Sequence, residues 1–159
     1  MKIDIDSLEE TYDKCIATGN IKEKAEIDTE LIRSIKKVAL TGLEFIKKQT
    51  TGLSKESTDW TFVFREHYES LRGLIEAYLL FDMIKADSHQ CKNAYLCLKH
   101  PELDLDWNFL ETIRLKRNAV NYRGQLLKYT DWKLFEIKFT LHINKISEEI
   151  ENKIKNETN

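Results

Sequence analysis

The chain has 159 residues, 42% of them hydrophobic and 33% charged, with a formal net charge of -2. That length predicts one domain able to build a core without a metal or disulfide staple, and the composition belongs to folded, water-soluble proteins rather than disordered or fibrous ones. No apolar run approaches the roughly 20 residues that cross a bilayer, and the acidic opening "MKIDIDSLEE" is unlike a secretory or transit peptide. A cytoplasmic protein with no membrane partner is expected.

The cysteines Cys15, Cys91 and Cys97 form no C-x-x-C pair, and their odd number argues against a disulfide framework. Core or surface thiols are expected, and the neighbouring His89 and Cys91 are a weak basis for a metal site. No metal and no cofactor are predicted. With five glycines and one proline, the chain has too few turn residues for many short strands, which favours long helices and no sheet.

In chain order, Asp6 is placed to cap a first helix, with Glu9 completing a capping box and Leu8, Tyr12 and Ile16 forming its apolar side. "TGN" ends it. A second helix is predicted from about Ile21 to Lys48, with Ile27, Leu31, Ile35, Val38, Gly42 and Phe45 as its core-facing stripe. After the loop "TTGLSKEST", Thr58 or Asp59 caps a third helix of about Trp60 to Lys85. Its stripe is Trp60, Val63, Phe64, His67, Tyr68, Leu71, Leu74, Ile75 and Tyr78, opposite a charged row of Arg65, Glu69, Arg72 and Glu76. His67, inside the apolar stripe, is expected to be a satisfied core histidine.

Ser88 starts a short fourth helix that Pro101 closes, and Asp104 or Asp106 opens a fifth, about 107–123, with Gly124 as its stop. Thr130 is placed to cap the last helix, whose apolar positions are Trp132, Phe135, Phe139, Ile143, Ile146 and Ile150. A polar tail, about 155–159, follows. The sum is an all-α fold, 1–159 as one antiparallel four-helix-type bundle with short additional helices.

The fifth helix carries the chemistry. Its end, "RLKRNAVNYRG", holds Arg114, Lys116, Arg117 and Arg123, and the segment from Thr112 to Lys128 contains five Lys or Arg and no Asp or Glu. On a helical wheel Arg117 falls about 80° from Phe109, within the apolar arc of Phe109, Ile113 and Val120. A guanidinium there is costly unless it is paired. Arg114, Asn118 and Asn121 adjoin it, and Tyr122 lies about 40° beyond Asn118. Such groups suit a phosphate and a base: the arginine fork grips oxygens, the amides steer, and the tyrosine stacks or donates. The alternative is structural, with Arg117 paired to an acid of the third helix, Glu69 or Glu76, and a cation-rich helix end favoured by the macrodipole.

"RNAVNYRG", preceded by "HYESLRGLIEAYLLFDMIKADSHQCKNAYL", resembles HEPN-domain proteins of the small stand-alone archaeal and bacterial type, over about Phe64 to Gly124. The resemblance implies a helical bundle that pairs as a homodimer and acts on RNA or a nucleotide, often beside a nucleotidyltransferase partner in toxin–antitoxin or defence systems. Its motif is an arginine, a polar residue and a histidine four to six positions on. Arg117 and Asn118 match; the histidine is missing, and its place falls on Asn121 or Tyr122. Tyrosine, with an ordinary pKa near 10, is poorly matched to proton transfer at neutral pH. The resemblance thus implies ligand binding through Arg114, Lys116, Arg117, Asn118, Asn121 and Tyr122. An active metal-independent endoribonuclease using Arg117 and Tyr122, or a non-catalytic interaction subunit, are the alternatives.

Overall fold

A computed structural model describes residues 4–158. Seven α-helices hold most of it: α1 (Leu8–Ala17), α2 (Thr29–Thr50), α3 (Trp60–Phe81), α4 (His89–Lys99), α5 (Trp107–Arg123), α6 (Tyr129–Lys133) and α7 (Glu136–Thr158). The fold is an all-α bundle. Its one departure is a ribbon of two three-residue strands, β1 (Ile21–Glu23) and β2 (Ile84–Ala86), paired antiparallel with Ile21 opposite Ala86. The expectation of no sheet is corrected to that extent.

α3 is the central element. Every residue of its predicted stripe is buried, and towards its end Ala77, Tyr78, Leu79, Leu80 and Phe81 are buried all round the helix. α7 supplies the opposing face through Phe139, Ile143, Ile146, Ile150 and Ile154. Phe139 is the aromatic hub: its ring lies 5.6 Å from Phe64, 5.4 Å from Phe109 and 5.8 Å from Trp132. Edge-on and offset contacts of this kind add specificity to the apolar burial. His67 sits in the same core, its Nδ1–H donating to the Val63 carbonyl at 2.7 Å, and burial pushes its pKa down to about 4.

Helix boundaries correct several expectations. α2 begins at Thr29, not near Ile21, because Asp28 caps it by accepting from the Leu31 amide at 2.9 Å and the residues before it are taken by the ribbon. α3 stops at Phe81 rather than Lys85, since Met83 turns into the left-handed region at φ 57° and sends the chain back as β2. α1 is capped by Ser7, which accepts from the Glu10 amide, so Asp6 is not the cap. The expected last helix is split into α6 and α7, and Thr130 lies within α6. The segment expected as a polar tail continues α7 to Thr158, while Asn159 lies outside the described residues.

The core stripe of α2 is also corrected. Ile32, Ala39, Leu43 and Ile46 are the buried residues, whereas Leu31, Val38 and Phe45 of the expected stripe are exposed and Ile35 and Gly42 are half-buried. The helix carries two apolar rows, and α3 covers one. Gly73 lets the two backbones come close, since a Cβ there would stand 3.3 Å from that of Ala39.

The cysteine expectation fails for a reason of tertiary proximity. Cys15 of α1 and Cys91 of α4 form a disulfide across 76 residues of sequence, buried with Ala86 and against Ile21. α1 is therefore turned so that Thr11 and Cys15 face inward and Ile16 faces solvent. Cys97 is free and half-buried, its thiol pushed up to about 12 by burial. Closing so long a loop restricts the unfolded chain, and loss of such a bridge costs about 2–4 kcal/mol. Cys15→Ser and Cys91→Ser are each expected to lower the melting temperature by the same amount as reductant does in the wild type. A melting curve indifferent to reductant would mean that the bridge contributes nothing.

Candidate functional site

α5 is framed by strong local signals. Asp106 caps it, accepting from the Phe109 amide at 2.9 Å, and is itself held by Lys138 of α7 at 2.6 Å. At the other end Gly124 adopts φ 63°, and the amides of Gly124 and Gln125 both point to the Ala119 carbonyl. A left-handed residue at this place is easy for glycine and strained for others. Just beyond, the Leu127 amide donates to Thr61 Oγ1 at 2.8 Å and fixes the returning chain against α3.

Between these ends, Phe109, Leu110, Ile113 and Val120 enter the core. So does an acid: Glu111 is 2% exposed. Arg114 grips its carboxylate with a two-pronged fork, Nε at 2.9 Å and Nη2 at 2.7 Å, while Gln90 of α4 donates to it at 2.9 Å. The same contact holds the Arg114 pKa above its usual value. Arg114 was expected among the ligand-binding residues, beside Arg117. It is instead the partner of a buried charge.

Arg117 takes the structural place foreseen for it. Its Nη2 donates to Glu69 Oε1 on α3 at 3.2 Å and its guanidinium lies 5.7 Å from the centre of the Tyr68 ring. Its Nε is buried with no hydrogen-bond partner. Glu69 is shared, since Arg72 Nε donates to its other oxygen at 2.8 Å.

Arg72 also reaches His89, the first residue of α4, with Nη1 3.1 Å from the ring Nε2. The guanidinium can only donate, so Nε2 accepts; Nδ1 then carries the proton and donates to the Tyr68 hydroxyl at 3.0 Å. Burial first, then the nearby Arg72, Lys92 and Arg117 charges, lowers the His89 pKa to about 4. The same enclosure raises Tyr68 to about 12. A continuous chain of contacts results, Tyr68 to His89 to Arg72 to Glu69 to Arg117, with Glu111 and Arg114 alongside. Three guanidiniums face two carboxylates, a local excess of one positive charge. The space among Tyr68, Arg72, His89 and Leu110 is about 10 Å³, room for one water molecule. A ligand must therefore meet this cluster from outside.

The remaining expected site residues separate from it. Asn118 and Lys116 are half-buried, and Lys116 makes no ion pair among the described residues. Asn121 and Tyr122 stand on the last turn in solvent, Tyr122 at 76% exposure, beside exposed Arg123. The ridge is thus two arginines tied into the bundle and two solvent-facing residues beyond them. Sequence reasoning offered Glu69 or Glu76 as Arg117's partner, of which Glu69 takes that place while Glu76 pairs with Lys92, but it missed Tyr68, His89, Gln90 and Glu111. Tyr68 looked like core, and Glu111 was masked by its position in an amphipathic helix; only the Ser88 cap signalled that His89 begins a helix. The suggested metal pair does not form, because Cys91 is bonded to Cys15. Among the described residues no group of three or more His, Cys, Asp and Glu is arranged to hold a metal ion, and no helix is long and apolar enough to cross a membrane.

Set against known protein families, curated proteins and solved structures, the chain shows no match to any of the three.

The His89 assignment has a direct check. Its ring protons in NMR should titrate near pH 4, well below the ordinary 6.5. Arg72→Ala removes a neighbouring cation and should move that midpoint upward. A wild-type midpoint at or above 6.5 would break the contact chain described above.

Proposed function

We propose that the chain binds the phosphate of RNA or of a nucleotide at the α5 ridge, as a HEPN-like protein whose motif histidine has been replaced. The observation that carries this reading is the state of Arg117: it shares Glu69 with Arg72, keeps one buried N–H without a partner, and belongs to a cluster with an excess positive charge. A phosphate arriving from outside would meet the guanidinium at its outer N–H groups, in surroundings where charge-assisted bonds are strong. Lys116 and Arg123 add field at the rim, and exposed Asn121 and Tyr122 are placed to steer and stack a base. Arg114 holds the frame rather than the ligand.

Pairing of two copies and a role beside a nucleotidyltransferase in a toxin–antitoxin or defence system belong to the same proposal, through the HEPN resemblance. So does a cytoplasmic location. The disulfide weighs against that location, because such bridges persist mainly in oxidising compartments, intracellular proteins of hyperthermophiles being the known exception.

Cleavage is the second reading, favoured by His89. Its neutral ring lies one guanidinium away from Glu69 and Arg117. A phosphate that draws Arg72 away would free Nε2 to accept the proton of an RNA 2′-hydroxyl as that oxygen attacks the adjacent phosphorus, the 5′-oxygen of the next nucleotide leaving with a proton from water. Tyr122, at the helix end in solvent, is less well placed for this step than the sequence suggested.

Fluorescence anisotropy with a short single-stranded RNA and with AMP tests the binding proposal. Affinity should fall with salt, and Lys116→Ala and Arg123→Ala should each flatten the log–log salt slope by about 0.7 per lost phosphate contact. Arg114→Ala is a poor probe, because leaving Glu111 unpaired costs about 3–5 kcal/mol of stability. Incubation with chelator distinguishes the second reading: RNA cut by wild type and left intact by His89→Gln supports it, while intact RNA in both leaves a binder. No binding of either ligand at low salt would remove the phosphate proposal.

A further inference from the structure

His67 is satisfied at only one of its two ring nitrogens. It lies on α3 with 6% of its surface exposed, and its Nδ1–H donates to the Val63 carbonyl one turn back. Nε2 is then the acceptor of a neutral ring, and no donor among the described residues reaches it. Ser70 Oγ, three residues on, is sealed from solvent without a partner; His67 Nε2 is not sealed in this way. The open space that His67 lines is a pocket of about 240 Å³ among α2, α3, α6 and α7. Its volume falls just below the range of about 300–1,000 Å³ that holds drug-sized ligands, which sets an occupant at one or two rings.

The walls of this pocket are aromatic. Trp132 stands 4.4 Å from the His67 ring, centre to centre, and Trp60 meets Tyr129 edge-on at 4.9 Å. The charged groups that line it are Lys47, Lys133 and Glu136, an excess of one positive charge. Lys133 is paired with Glu136, whereas exposed Lys47 makes no ion pair among the described residues. Lys47 is near enough for its charge to act on His67, beside burial, in holding the ring neutral. A buried acceptor among aromatic rings selects for a donor, because a ligand without one leaves it unpaired. A cationic ligand is opposed by both lysines.

We infer that this pocket is a separate ligand site for a small, flat heteroaromatic acid, whose ring N–H donates to His67 Nε2 and whose carboxylate meets Lys47. The ring of the ligand lies among Trp60, Tyr129 and Trp132. Donor and anion stand at opposite ends of such a molecule, as the histidine and the lysine require. The site does not rest on the phosphate reading, since none of the pocket's residues belongs to the α5 cluster.

Indole-3-carboxylate is a suitable probe, compared with 1-methylindole-3-carboxylate, which lacks the donor, and with indole, which lacks the charge. Binding is read at neutral pH from the ring-nitrogen NMR signals of histidine-labelled protein, His67 being assigned by its loss in His67→Phe. The His67 Nε2 signal should move more than those of the other three histidines. The methylated acid should bind roughly 2- to 13-fold more weakly, as expected for one lost neutral hydrogen bond. His67→Phe should erase the difference between the two acids, and Lys47→Gln should erase the preference for the acid over indole. Lys47 is exposed, so Lys47→Gln should keep wild-type circular dichroism; with the methylated probe it decides the question even if His67→Phe does not fold. An unmoved His67 signal at millimolar probe, equal affinity for both acids, or a larger shift at His89 than at His67 would overturn the proposal. RNA anisotropy on Lys47→Gln should match wild type and reports separately on the α5 ridge.

Discussion

A carboxylate buried in a helical core constrains everything around it. Glu111, 2% exposed, faces the bundle from the first half of α5. Taking such a group out of water costs several kcal/mol unless opposite charge and hydrogen bonds replace the lost hydration. Arg114 supplies the charge, one turn on, and Gln90 a further bond from α4. The requirement fixes where α4 begins relative to α5. That in turn places His89, the residue before Gln90, against Arg72 and Tyr68 of α3. Three helices are thus locked in register by polar contacts, in a bundle whose aliphatic packing alone would tolerate sliding.

The disulfide acts on the same junction from the other side. Cys91 lies one turn inside α4, so the bond to Cys15 anchors the helix that carries His89 and Gln90. The ribbon of β1 and β2 holds the connection leading into α4, with the Asp87 amide also donating to the Asn20 carbonyl. At the far end of α4, His100 stands between Asp82 and Glu102, and Tyr95 shares Asp82. α4 is short, with Ala94 and Leu96 fully buried, and these clamps hold both of its ends. The result is a braced platform under the arginines.

Outward from this platform the molecule changes character. The last turn of α5 and the segment that follows are exposed from Asn121 to Leu126, before Leu127 returns to the core. Charged frame and solvent-facing rim therefore lie on one helix within two turns of each other. The opposite side of α3 is covered by α2, whose outer row is apolar.

The sequence by itself determined the helical class, the central stripe of α3, the aromatic and isoleucine positions of α7, and both ends of α5. These are local matters: a 3.6-residue repeat, an aspartate that caps, and a glycine that can turn left-handed act through neighbours a few residues away. It also singled out Arg117 as a costly charge and Glu69 or Glu76 as acids within reach, because the cost of burying a guanidinium is visible on one helix wheel. Only the tertiary structure decided the rest. Which apolar row of α2 is covered depends on α3, since both rows have helical spacing. Whether Cys15 and Cys91 join depends on a distance that 76 residues of chain do not specify. Arg114 became structural and His89 entered the cluster because Glu111 lies on the inner face and α4 starts beside it. Those meetings join three separate helices, and periodicity along a single helix holds no information about them.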